Sequence, residues 1–153
     1  MKKFKILLVE DDEIKRDDII FFIDEIDPSI EIIKSISVNK SLKILINDIE
    51  NIDLIILDMS MPLNDINPNY GSNFSHEKFG GLTFLSNMIE REIYVPVIVI
   101  TMYDSIQETS FNDIKTMINN SFSDICLDLI YYNARDNSWK VKLKQLMEPL
   151  ING

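Results

Sequence analysis

Asp53-Leu54-Ile55-Ile56-Leu57-Asp58-Met59-Ser60-Met61-Pro62 sets an apolar run of strand length directly against a carboxylate. The pattern repeats on either side. Upstream, Phe4 to Val9 is a short continuous apolar run with one lysine, as in a strand covered on both faces, and it runs into Glu10-Asp11-Asp12. Downstream, Pro96-Val97-Ile98-Val99-Ile100 is β-branched and ends on Thr101. Ile30 to Ile33 and Ile125 to Tyr132 read as two further strands.

Helical periodicity fills the gaps. Ile19, Phe22, Ile23 and Ile26 recur at three- and four-residue spacing and stop before Pro28. Leu42, Leu45, Ile46 and Ile49 mark a second helix, and Gly80-Gly81 opens a third carrying Leu82, Leu85, Met88 and Ile89. Phe111, Ile114 and Ile118 give a weaker fourth, and Trp139, Leu143, Leu146 and Leu150 the last. Five βα units in strict alternation imply a parallel sheet with helices on both faces, and right-handed crossovers leave few topologies. The expected fold is α/β: a three-layer flavodoxin-like (βα)5 sandwich, its five-stranded parallel sheet in the order 2-1-3-4-5. Ligands then belong beyond the carboxyl ends of strands 1 and 3. A dinucleotide fold would want glycines after strand 1, where Glu10-Asp11-Asp12 has none.

Bulk properties narrow the function. A length of 153 residues suits one domain over 1–153, with an insertion at about 63–79 after strand 3. The composition, 46% hydrophobic and 26% charged, is that of a globular protein that needs no staple. The single cysteine, Cys126, lies in an apolar run and reads as a buried reduced thiol, which favours a reducing, cytoplasmic setting. No apolar stretch approaches the ~20 residues that span a bilayer, and the opening segment is too short in apolar residues for a signal peptide. A net charge of −10 repels phosphate backbones, so direct nucleic-acid binding is not expected. Lys140, Lys142 and Lys144 read as a solvated helix face.

Adjacent parallel strands lie about 4.8 Å apart, so the acids after strands 1 and 3 must converge. Carboxylates that close repel unless neutralised, and a hard divalent cation with oxygen ligands does this. Magnesium fits best, because it needs only one or two carboxylates and leaves positions for phosphate oxygens. A carboxylate beside it can act as a nucleophile toward a phosphoryl donor, and Thr101 offers a hydroxyl to a phosphoryl oxygen. Taken singly, Asp11 or Asp12 reads as well as a helix cap, and Thr101 as a strand-end residue. Their order along the chain is what points to chemistry.

Ile6-Leu7-Leu8-Val9-Glu10-Asp11-Asp12, the segment from Asp53 to Pro62, and Pro96 to Thr101 together resemble the response-regulator receiver family (CheY-like), here atypical and without an output domain. The resemblance implies that Asp58 is the phosphoacceptor and Asp11 a direct Mg²⁺ ligand. It further implies that Glu10 contributes to the metal pocket largely through water, that the backbone carbonyl of Ser60 completes the ligands, and that Thr101 is the switch hydroxyl. The donor would be a sensor histidine kinase or phosphotransfer protein. The downstream partner would be a protein bound at helix 4, strand 5 and helix 5, with a homodimer left open. Any catalysis would be confined to the chain's own phosphorylation and dephosphorylation.

Two departures from the family stand out. A lysine is expected at the end of strand 5, where Asn133 falls, and no lysine occurs between Lys115 and Lys140. Arg135 reads first as a solvated helix-start residue, with reaching in to compensate as the alternative, and Ile130 takes the aromatic switch position, with Tyr131 and Tyr132 adjacent. Secondly, Leu63 to Phe79 intervenes before Gly80-Gly81. That stretch is polar and turn-rich, long enough to form a lid or a partner contact, with Tyr70, Phe74 and Phe79 reading equally as anchors or as locally packed side chains, and His76 as solvated. Two readings follow: a phosphorylation-dependent stand-alone receiver, or a phosphorylation-independent pseudo-receiver acting as an interaction module. A hydrolase would need a water-activating base, and neither Ser60 nor Tyr103 is an obvious one.

Overall fold

The computed structural model describes residues 2–64, 80–102, 105–106 and 109–153. The elements run β1 (Lys5–Val9), α1 (Glu13–Ile26), β2 (Glu31–Ser35), α2 (Val38–Asn47), β3 (Leu54–Leu57) and α3 (Gly80–Glu90). After β4 (Val97–Thr101) come β5 (Ser105–Ile106), β6 (Thr109–Ser110), α4 (Phe111–Ser121), β7 (Cys126–Tyr131) and α5 (Ser138–Asn152). Five parallel strands form one sheet in the order β2-β1-β3-β4-β7. This is the expected 2-1-3-4-5 arrangement, β7 being its fifth strand.

The apolar runs are continuous because the central strands are covered on both sides: every residue of β3 and β4 is buried. Alternate residues feed two cores. Leu7, Val9, Ile55, Leu57, Val97 and Val99 pack against α2, α3 and α4. Ile6, Leu8, Leu54, Ile56, Ile98 and Ile100 pack against α1 and α5, where Trp139 is the largest side chain. The alternation decides which face the residues just beyond each strand will serve. Glu10 continues the series Ile6, Leu8, and Asp58 the series Leu54, Ile56; both therefore belong to the α1 side.

Helix starts follow the local chemistry. Asp12 caps α1, its carboxylate accepting the Lys15 backbone N–H at 3.0 Å, and Ser110 with Asp113 forms a capping box on α4. The strand expected at Ile30–Ile33 lies slightly later, because Ile30 is held in the turn by its N–H to Asp27 O at 3.2 Å. The antiparallel β5–β6 pair has no counterpart in the sequence reading. Its strands are two residues each, too short to leave a periodic pattern.

Cys126 is buried as expected, at 7% exposure. Burial pushes its thiol up to about 11, so almost no thiolate exists near neutrality. At pH 8, labelling by iodoacetamide should be about 100-fold slower in the native protein than after guanidinium unfolding, read by intact mass. Equal rates would place the thiol outside the core.

Candidate functional site

The carboxyl edge of the sheet gathers the acids. The ladder continues past β1 and β3: the Glu10 N–H donates to Ser35 O at 3.0 Å, and the Asp58 N–H donates to Val9 O at 3.0 Å. These bonds fix both acids at adjacent strand ends. Carboxylate oxygens of Glu10, Asp11 and Asp58 lie within 4.8 Å of one another. Glu10 is 1% exposed and Asp58 9%, while Asp11 is half-buried and closer to solvent. Ser60 follows in the bend that leaves β3, also half-buried. Asp12 stands apart from this group as the α1 cap.

The residue that holds the cluster together is one the sequence reading missed. Lys15, 1% exposed, extends from the first turn of α1 into the acids. Its Nζ lies 2.5 Å from Glu10 Oε1 and 3.1 Å from Asp58 Oδ1, and donates to Ile100 O at 2.7 Å. The ammonium gives one hydrogen bond to the Ile100 carbonyl and pairs its charge with the two carboxylates. A buried charge is tolerated only when compensated in this way. The signal was present in the sequence: Lys15, Ile19 and Ile23 follow one another at four-residue spacing on a single buried stripe.

Electrostatics at the site are tight. Burial pushes the Glu10 carboxyl up to about 8; the Lys15 ammonium opposes this and the Asp58 charge adds to it. A divalent cation would pull it back down. With all three acids ionised, Lys15 leaves a residual charge of two, which a single hard dication matches. The donors are all oxygens, so the site fits magnesium chemically.

Thr101, at the end of β4, is 1% exposed, and its hydroxyl oxygen is buried with no hydrogen-bond partner among the described residues. Buried hydroxyls are normally satisfied, so this one is free to bond a group brought to the site. The register pairs Thr101 with Tyr131. Tyr131 therefore shares its face of the sheet and meets Phe111 edge-on at 5.8 Å. The sequence reading put Ile130 in that place; Ile130 points instead into the α1–α5 core. The cause is a register shift between Val97 and Ile98, where β7 carries one additional residue, Leu127. A one-residue slip exchanges the faces.

Asn133 is half-buried, and its side-chain oxygen accepts the Arg135 N–H at 2.9 Å in a local turn. Arg135 itself is exposed, as its reading as a solvated helix-start residue has it, and does not reach into the acids. Tyr132 lies under Lys15, its ring centroid 5.8 Å from the Nζ, and its hydroxyl donates to Asp18 Oδ2 at 2.7 Å. Burial and that bond to Asp18 raise the hydroxyl's pKa, so it stays protonated. Of the insertion, Leu63 and Asn64 dock on α2: the Asn39 N–H donates to Leu63 O at 2.8 Å and the Asn39 amide to Asn64 Oδ1 at 2.8 Å. Tyr70, Phe74, His76, Phe79 and Tyr103 lie outside the described residues.

No family model matches the chain. An uncharacterized protein of Sinorhizobium fredii, y4jR, is 22% identical over 144 residues, covering 92% of this chain and 94% of that one. A response regulator receiver domain protein from Clostridium thermocellum is similar in structure, with TM-score 0.65 and 21% identity over 97% of this chain and 94% of that one. The CheX–CheY–BeF3–Mg complex from Borrelia burgdorferi gives TM-score 0.66 and 18% identity over 95% and 88% respectively.

Proposed function

We propose that this chain, which carries the receiver fold of response regulators, is a phosphorylation-dependent signalling receiver in which Asp58 accepts a phosphoryl group. The observation that carries the reading is the convergence of Glu10, Asp11 and Asp58, together with the buried hydroxyl of Thr101 one strand further on, which has no hydrogen-bond partner among the described residues. We read the whole chain as one receiver domain, with 63–79 inserted after β3.

The chemistry is displacement at phosphorus. A carboxylate oxygen of Asp58 attacks the donor's phosphorus; the bond from phosphorus to the leaving group breaks, and its electron pair departs with that group. Asp58 suits this role because, at 9% exposure, it is reachable where Glu10 is not. The Glu10, Asp11 and Asp58 carboxylates and the Ser60 carbonyl would hold Mg²⁺, which when bound neutralises charge on the transferring group. Thr101 then gives its hydroxyl to a phosphoryl oxygen. The donor is a phosphohistidine on a sensor kinase or phosphotransfer protein, and the α4–β7–α5 face binds the downstream protein. No helix among the described residues is long and apolar enough to cross a membrane, and we assign the signalling to the cytoplasm.

A second reading, a phosphorylation-independent interaction module, draws on the ion pair that already occupies Asp58 at 3.1 Å. Incubation with acetyl phosphate separates the two. The phosphoacceptor reading expects one added phosphoryl group by intact mass with Mg²⁺, none after chelation, and none in Asp58→Asn. Wild-type protein without an adduct under matched conditions favours the interaction module.

A further inference from the structure

We infer that Lys15 supplies, from helix α1, the positive charge of this site: it competes with the metal for the acids and pairs with the phosphoryl group once that group is on Asp58. The inference rests on the phosphoacceptor reading for its second half only.

The placement is specific. Glu10, Asp58 and Ile100 lie at the ends of β1, β3 and β4, and Tyr132 lies just past β7. The Lys15 Nζ touches the first three and stands 5.8 Å from the ring of the fourth, so it is centred over the edge of the sheet. Among the described residues, Glu10 and Asp58 have an ion pair to no other cation. The end of β7 contributes none, because Asn133 is neutral and Arg135 is exposed to solvent.

A purely structural lysine is the alternative. Burying an ammonium costs several kcal/mol of desolvation, whereas burying an apolar side chain of the same length is favourable, so packing alone does not require a lysine here. Lys15 shares a buried stripe with Ile19 and Ile23, where methionine would match its length. What methionine cannot do is offset like charges at Glu10 and Asp58 or meet the additional negative charge of a phosphoryl group.

The two roles have opposite signs for two ligands, and this makes the idea testable. An ammonium on Glu10 and Asp58 repels a dication and attracts an oxyanion. Removing it should tighten magnesium binding and slow phosphoryl uptake. A variant that merely loosened the fold would weaken both.

The experiment uses the full chain as wild type, Lys15→Met and Lys15→Arg. Magnesium binding is followed by the fluorescence of Trp139, whose ring lies 5.2 Å from that of Tyr132. Phosphoryl uptake from acetyl phosphate at saturating magnesium is followed by intact mass. Lys15→Met should bind magnesium about tenfold more tightly and take up the phosphoryl group about tenfold more slowly. Lys15→Arg, which keeps the charge, should restore most of the uptake. Should Lys15→Met fail to fold, Lys15→Gln must give the same pair of shifts. Magnesium bound no more tightly, or uptake at the wild-type rate in the uncharged variants, overturns the inference. Wild-type protein that takes up no phosphoryl group defeats the reading of Asp58 instead; tighter magnesium in Lys15→Met then still supports Lys15 as the cation of the site.

Discussion

Gly80→Ala should lower the melting temperature by about 10 °C, because α3 begins in contact with the loop that leaves β3. A Cβ on Gly80 would overlap the carbonyl oxygen of Met61, and one on Gly81 would come within 2.8 Å of both Asp58 O and Met59 Cα. These are backbone atoms, which cannot rotate aside as the tip of a side chain would. Overpacking of this kind costs about 1–3 kcal/mol and sometimes more. For a chain of this size, each kcal/mol moves the midpoint by about 2–4 °C. The Gly81 N–H also donates to Met59 O at 2.9 Å, so the two glycines and the acid-bearing loop form one unit. Gly81→Ala should therefore impair phosphoryl uptake as well as stability, since relief of its clash moves the backbone of Asp58. Thermal melts by circular dichroism check the first part; a midpoint within 2 °C of wild type would contradict the close approach.

Trp139→Ala should cost about 3–5 kcal/mol, the range for removing a buried aromatic from a core that collapses poorly. Trp139 is 1% exposed on α5 and packs edge-on against Phe22 at 5.6 Å and tilted against Tyr132 at 5.2 Å. It thus joins α1, β7 and α5 on the same side of the sheet as Lys15. Much of a small domain's stability, typically about 5–15 kcal/mol in all, would be lost. Trp139→Leu should recover part of it by refilling volume. Urea unfolding measures both, and a loss under about 1 kcal/mol for Trp139→Ala would show that this core repacks freely.

The sheet could be read from the sequence because its central strands are covered on both faces. Ile6-Leu7-Leu8-Val9, Leu54-Ile55-Ile56-Leu57 and Val97-Ile98-Val99-Ile100 are uninterrupted apolar runs, and few other structures bury such runs whole. The edge strand β2 was harder to bound, since Glu31 and Lys34 are exposed and break the run. The acids at the site were legible for a related reason: each follows directly on a buried strand, so its position was fixed by where the strand stops.

What escaped the sequence were placements set by packing, register and turn geometry. Lys15 lies 43 residues before Asp58, on a helix whose outward positions carry other charges, and a lysine in a first turn is ordinarily solvated. Only the strand ends above it make burial worthwhile. The resemblance puts Ile130 at the aromatic switch position, but the bulge at Leu127 sets Tyr131 beside Thr101 and turns Ile130 into the α1–α5 core. Of the two readings of Arg135, the solvated one agrees with the structure: the Asx turn at Asn133 holds that stretch in a local conformation and leaves Arg135 in solvent.

The claim on which the functional account depends is that the phosphoryl group forms an acyl phosphate on Asp58. Borohydride reduces an acyl phosphate to the alcohol, converting aspartate to homoserine at the modified position. After incubation with acetyl phosphate and Mg²⁺, reduction and peptide mass mapping should find homoserine at position 58, and none in Asp58→Asn. Homoserine at another aspartate, or reduction that leaves residue 58 as aspartate in a protein carrying the phosphoryl mass, would contradict the assignment.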